Sequence, residues 1–216
     1  MEEEKKAEYT DIIALINSRY DRLSKSHKKI ATYILDNYDQ AVFMTAVKLN
    51  NLVITSFTTL GNGISNYTSQ NLGAAKLSRI KDGFKSGIKM VWMLSLPLFA
   101  LYFFGGEICL RIFLDNPTEQ AMHTGIMFLR ILSPFYFVVS AKLVADGILR
   151  GAGMMKYFMI ATFTDLILRV ALAYVLSHTI LDATGIWCAW PIGWAVATIL
   201  SISFYKREPW AVSKKM

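Results

Sequence analysis

The sequence predicts an all-α, polytopic membrane protein with about five transmembrane helices, preceded by a short soluble helical segment. Hydrophobic residues make up 54% of the chain and charged residues only 18%, a balance poor in charge for a soluble domain. Several uncharged runs reach the length a helix needs to cross a bilayer. The charge is also uneven: residues 1–50 hold eight basic and eight acidic side chains, so the whole excess of +7 lies in the apolar remainder. A basic, apolar region points to a bilayer before it points to nucleic acid.

The segment 1–50 reads as soluble. "DIIALINSRYDRL" sets Ile12, Leu15, Ile16 and Leu23 on one helical face, and the stretch after it repeats the pattern through Ile30, Ile34 and Leu35. Ser24 or Ser26 is available as a helix cap, and a third short helix is predicted to begin at Thr45. The opening "MEEEKKAEYTD" lacks the basic and then apolar form of a secretory signal. Residues 51–210 form the membrane part, with spans predicted over about 52–72, 87–106, 122–142, 157–178 and 183–205, and 211–216 as a tail. The last of these lies within 23 uncharged residues, "ATGIWCAWPIGWAVATILSISFY", whose tryptophans suit the interfacial belts. The first, within 51–75, is uncharged but rich in Thr, Ser, Asn and Gly.

The connections alternate in charge. Residues 76–89 carry Lys76, Arg79, Lys81, Lys85 and Lys89 against Asp82, whereas 107–119 is acidic. The 142–156 connection is basic, the 178–184 turn holds only Asp182, and the tail is basic again. This alternation predicts a cytoplasmic carboxyl terminus. Counting back through five spans then places residues 1–50 on the opposite side, at odds with their soluble, cytoplasmic look.

Charged and polar groups inside the spans are the candidate site. Asp165 and Arg169 stand four apart on one helical face, where pairing lessens the cost of burying either; a structural ion pair and a role in ion coupling are both open. Asp146, beside a cytoplasmic turn, reads as interfacial. Arg130 stands four residues before Pro134, which is expected to kink its helix, and broken helices expose backbone dipoles to ions. Asn62, Asn66, Tyr67, Thr68 and Gln70 give the first span a polar side that lines a cavity or bonds to neighbouring helices. Phe135 and Tyr136 are aromatic surfaces on which a flat cation could stack. The two cysteines, Cys109 and Cys188, fit no metal spacing or disulfide framework, and no metal or cofactor is called for.

Two resemblances complete the reading. "YDRLSKSHKKIATYILDNYDQAVFMTAVKL" resembles the start of the helix-turn-helix domain of the RpiR family of sugar-phosphate-responsive bacterial regulators, through Leu23 to Ala31 and Met44-Thr45, over about residues 11–49. The pattern then departs: "NNLVITSFTTLGNG" stands where a recognition helix belongs, with no basic residue between Lys48 and Lys76, which argues against DNA binding. From about residue 53 to 210 the chain resembles the carboxyl-terminal lobe of MATE-type multidrug and toxin efflux transporters. That resemblance rests on Gln70, Asn71, Leu72, Gly73 and Ala74 with Lys76, Arg79 and Gly83 after them, on "LRGAG" with Arg150, Gly151 and Gly153, on Arg169, and on "GIWCAWPIGW" at 185–194.

The MATE resemblance implies a non-enzymatic, two-lobed antiporter of the bacterial inner membrane that expels organic cations in exchange for Na+ or H+. It further implies that this chain holds only part of one lobe, inactive without the missing lobe or a second copy. The Gln70 to Ala74 motif then marks the end of a span at the cytoplasmic surface, where Gly73 adopts a positive φ or admits close packing, and "LRGAG" marks a second cytoplasmic turn with Arg150 at the headgroups. The competing readings are a fused or truncated gene product that inserts without transporting, and a membrane-tethered regulator of the RpiR type.

Overall fold

The computed structural model describes residues 16, 18–113, 119–179 and 182–208. A 3₁₀ turn, Tyr20–Arg22, precedes α1, Lys25–Gly73, a single helix of 49 residues, about 73 Å long. Ser24 caps it, its hydroxyl accepting from the His27 amide at 3.3 Å. The helix break expected near Thr45 does not occur: α1 runs unbroken from the segment resembling the regulator into the membrane part. Between Lys25 and Leu60 the chain has no Gly and no Pro, so nothing local stops the helix.

Helix α2 follows at Leu77–Phe104, then a short α3 at Gly106–Arg111 and α4 at Glu119–Leu132. A 3₁₀ turn at Ser133–Phe135, with Pro134 in its first turn, leads into α5, Tyr136–Gly151. At Pro134, where a kink is expected, the helix changes type and the span continues. Helices α6, Met155–Ser177, and α7, Asp182–Lys206, form the closing hairpin. Helix α5 is the central element, packed on α1, α2 and α7, and it buries eleven of its sixteen residues.

Among the described residues, four stretches are long and apolar enough to cross a membrane: Leu77–Phe104, Glu119–Gly151, Met155–Ser177 and Thr184–Lys206. The fifth expected span, 52–72, lies within α1 and does not join them, because its Asn, Thr and Ser content lowers its apolar character. Helix α6 is apolar on nearly every face yet buries only Ala161 and Asp165. Such a surface calls for lipid around it. The structure is therefore that of an all-α, multi-pass membrane protein.

Two apolar clusters fix the two ends. One gathers Phe43, Val53, Phe57, Phe128, Tyr136 and Trp187; the other joins Ile80, Ile148 and Leu149 to Phe84, Phe204 and Tyr205. At the second end Lys81 pairs with Glu208 at 2.6 Å and Phe84 stacks on Tyr205 at 4.1 Å. The basic start of α2, the turn after α5 and the basic end of α7 thus share one end of the bundle. At the opposite end, burial pushes the Cys109 thiol of α3 upward in pKa.

The α1–α2 turn corrects one detail. Gly73 has neither a positive φ nor a close neighbour. The left-handed residue is Ala75, φ 59°, closed by bonds from its amide to Leu72 and from the Lys76 amide to Asn71. Those are the paired bonds of a Schellman motif. After α5 the same motif places Gly153 at φ 74°. A side chain in this conformation is strained, so Ala75→Gly is expected to stabilise the protein by about 1 kcal/mol. Unfolding of the solubilised chain measures this, and a loss of stability would show that Ala75 is not strained.

Candidate functional site

Helices α5, α6 and α7 meet around a cleft of about 230 Å³ whose walls include Lys142, Asp165, Arg169, Trp190 and Trp194, with Asn51 of α1 completing the lining. On α6, the Arg169 guanidinium donates to Asp165, the expected pairing across one helical turn. Arg169 also lies over the Trp190 ring, 5.2 Å from its centroid, a cation–π contact. Asp165 is 7% exposed. Its space comes from Gly193 of α7: a Cβ there would stand 2.7 Å from Asp165 Oδ1. Among the described residues, Asp165 Oδ1 and Arg169 Nε are buried without a hydrogen-bond partner.

A second ion pair reaches the same cleft, and it overturns an expectation. Asp146 is not interfacial: it is 1% exposed inside α5, held by Lys142 Nζ at 2.6 Å and by the Ser201 hydroxyl at 2.6 Å. Lys142 is no part of a cytoplasmic connection either; it is 6% exposed and lines the cleft beside Asp165. Burying both charges is tolerable because each meets its opposite and Ser201 supplies a further donor. The signal was in the sequence, since Lys142 and Asp146 have the four-residue spacing of Asp165 and Arg169. The cleft wall therefore carries Lys142, Asp165 and Arg169, and Asp146 stands behind it as the partner of Lys142.

The other candidates lie elsewhere. Arg130 is exposed near the far end, its Nε donating to the Phe103 carbonyl at 3.2 Å. Tyr136 is fully buried in the core, with its hydroxyl on Asn50 Oδ1 at 3.2 Å, and Phe135 packs half-buried against the same cluster. Neither stands on the wall of the cleft. Asn62, Asn66 and Gln70 are exposed along α1, and among the described residues their side chains make no hydrogen bond. They extend a stripe through Lys48, Asn51, Thr55 and Thr59, all exposed, at three- and four-residue steps that follow one helical face. Tyr67 lines a separate groove.

Of the motif residues, Asn71 binds the Tyr67 carbonyl at 2.8 Å, while Gln70 and Ala74 are exposed at the turn. Arg150 lies over the Phe158 ring at 5.3 Å and its Nε is buried, so it is held by protein and not by headgroups alone. Gly151 is the last residue of α5, where its missing side chain admits the Ser65 carbonyl of α1.

Comparison with known proteins matches this architecture. Residues 32–175 match the family model described as MatE. Over 149 residues the chain is 25% identical to the probable multidrug resistance protein YoeA of Bacillus subtilis (strain 168), covering 68% of this chain and 32% of that protein. A solved structure, titled as the inward-facing conformation of a multidrug resistance MATE family transporter of the MOP superfamily, superposes with a TM-score of 0.72. It shares 22% identity and covers 82% of this chain and 40% of its own, a likeness of fold. The chain spans about a third of the length of the curated relative it matches.

Proposed function

The chain belongs to the MatE family, and from that premise we propose that it supplies one helical bundle of an efflux transporter exchanging organic cations for Na+ or H+. The observation that carries this reading is the cleft between three helices whose wall holds the Asp165–Arg169 pair and Lys142, itself paired with the buried Asp146. Ionisable residues this deep in a membrane bundle are costly and mark ion or substrate paths. In this reading Asp165 takes the coupling ion on its unpartnered Oδ1, while Arg169 shifts between the carboxylate and Trp190 as the cation arrives. No covalent step is involved, and the chain is not an enzyme.

Rocking of one bundle against another requires two bundles. The second comes from the missing lobe or from another copy of this chain, and the polar stripe of α1 from Lys48 to Gln70 is the face turned towards it. Hydrogen-bonding side chains in such a stripe are satisfied by protein or by a water-filled path and not by lipid. The clustering of Lys76, Arg79, Lys85, Lys206 and Arg207 at one end of the bundle supports a cytoplasmic carboxyl terminus in the bacterial inner membrane.

The test is efflux of a fluorescent lipophilic cation from cells expressing the chain, with and without a sodium or proton gradient. Gradient-dependent efflux above the empty-vector level, abolished by Asp165→Asn, is the expected result. Vector-level accumulation with the protein present in the membrane would reject a working assembly of copies of this chain and leave the missing lobe as the source of the second bundle.

A further inference from the structure

A second concavity stands apart from the ion-pair cleft. Between α1 and α2 runs an open groove of about 380 Å³, walled by Leu60, Gly63, Ile64 and Tyr67 on one side and by Gly87 and Met90 on the other. Its lining is mostly apolar, and Gly63 explains why it is open: a Cβ added there meets no atom within 4 Å. The groove follows both helices towards the basic end of the bundle, where Asp82 and Ser86 add polar groups to its wall.

The charges at that end are unequal in status. Lys81 is taken by Glu208. Asp82 is exposed and lines the groove, and among the described residues it has no ion-pair partner. Arg79 is exposed, equally without a partner among the described residues, and stands one turn before Asp82 and Gly83 on the same face of α2. A carboxylate on the groove wall and a guanidinium one helical turn before it on α2, both without an ion-pair partner among the described residues, therefore mark this end of the apolar groove.

We propose that the groove holds one acyl chain of a phospholipid whose headgroup carries both a phosphate and a primary ammonium, with the ammonium on Asp82 and the phosphate on Arg79. The apolar walls replace lipid neighbours along the chain. A guanidinium suits a phosphate, and a carboxylate suits an N–H donor. A purely anionic headgroup would set its charge against Asp82, and a quaternary choline has no N–H to donate. This site rests on geometry away from the ion-pair cleft and stands or falls independently of the transport reading.

The test is native mass spectrometry of the full chain released from vesicles of phosphatidylethanolamine, phosphatidylglycerol and phosphatidylcholine in equal parts with identical acyl chains. Phosphatidylethanolamine is expected to be retained several-fold above the other two. Gly63→Leu places a side chain in the groove from a position where a Cβ meets no atom within 4 Å, and should remove that retention, as should Ser86→Leu on the opposite wall if the first variant fails to fold. Asp82→Asn should keep the lipid bound but lose the preference for the ammonium headgroup. Folded groove variants that hold phosphatidylethanolamine like the parent would overturn the acyl-chain site. Preference for phosphatidylglycerol in the parent, or an unchanged preference in Asp82→Asn, would overturn the headgroup assignment.

Discussion

Replacing Asp146 by alanine is expected to destabilise the protein by about 3–5 kcal/mol, the scale seen when one member of a buried ion pair is removed. Lys142 would be left charged at 6% exposure, and Ser201 would lose its acceptor. The cost comes mainly from the stranded cation and not from the lost attraction. The double change Lys142→Met with Asp146→Leu is therefore expected to recover most of the loss, because it removes both charges at similar volume. Denaturant unfolding of the solubilised chain, run as a double-mutant cycle, measures the difference. Should Asp146→Ala unfold like the parent, Lys142 would have another carboxylate to turn to, and Asp165 across the same cleft is the one available.

That pair also shows where a linear reading loses the structure. Hydropathy counting treats a charge as the edge of a span, which puts Lys142 in a basic connection and Asp146 at the interface. What permits both charges inside is Ser201, a residue of another helix that no local pattern brings near. The neighbouring pair was legible because Asp165 and Arg169 sit within an uncharged run, where helical spacing alone puts them on one face. Gly193, which makes room for Asp165, follows from the packing of α7 on α6 and leaves no trace in spacing.

The helices themselves were largely readable. The runs predicted at 157–178 and 183–205 fall on Met155–Ser177 and Asp182–Lys206, because long apolar stretches bounded by charges have one solution in a bilayer. The basic 76–89 stretch reads as a connection between spans, and from Leu77 on it is the first half of α2. In α1, composition changes near residue 50 but helix propensity does not, so the helix runs on. The polar stripe from Lys48 to Gln70 was visible as composition, and its register on one exposed face required the structure. Gly73 drew attention as the turn glycine, yet the geometry of the Schellman motif assigns the left-handed position two residues later, at Ala75.

Gly151→Ala and Gly147→Ala are each expected to lower stability by about 1–3 kcal/mol through overpacking, against the gain in helix propensity of up to about 1 kcal/mol that Ala brings to a helix interior. Along the contact of α5 with α1, a Cβ on Gly147 would stand 2.4 Å from the Gly61 carbonyl oxygen, and one on Gly151 would stand 2.2 Å from the Ser65 carbonyl oxygen. Both obstacles are backbone, which yields only if a whole helix shifts. Gly147 and Gly151 form a GxxxG face, and Gly61 and Ser65 answer it with the same four-residue spacing. Small residues of this kind let membrane helices approach closely, where dispersion and close packing act in place of the hydrophobic effect. Gly63 provides the control, since it shares α1 with Gly61 but opens on empty space. Gly63→Ala is expected to be neutral or to stabilise by a few tenths up to about 1 kcal/mol. Unfolding all three variants under one condition separates the contact from propensity. If Gly151→Ala and Gly147→Ala behave like Gly63→Ala, α1 and α5 do not cross at these glycines, and the wall that α1 contributes to the ion-pair cleft would have to be placed anew.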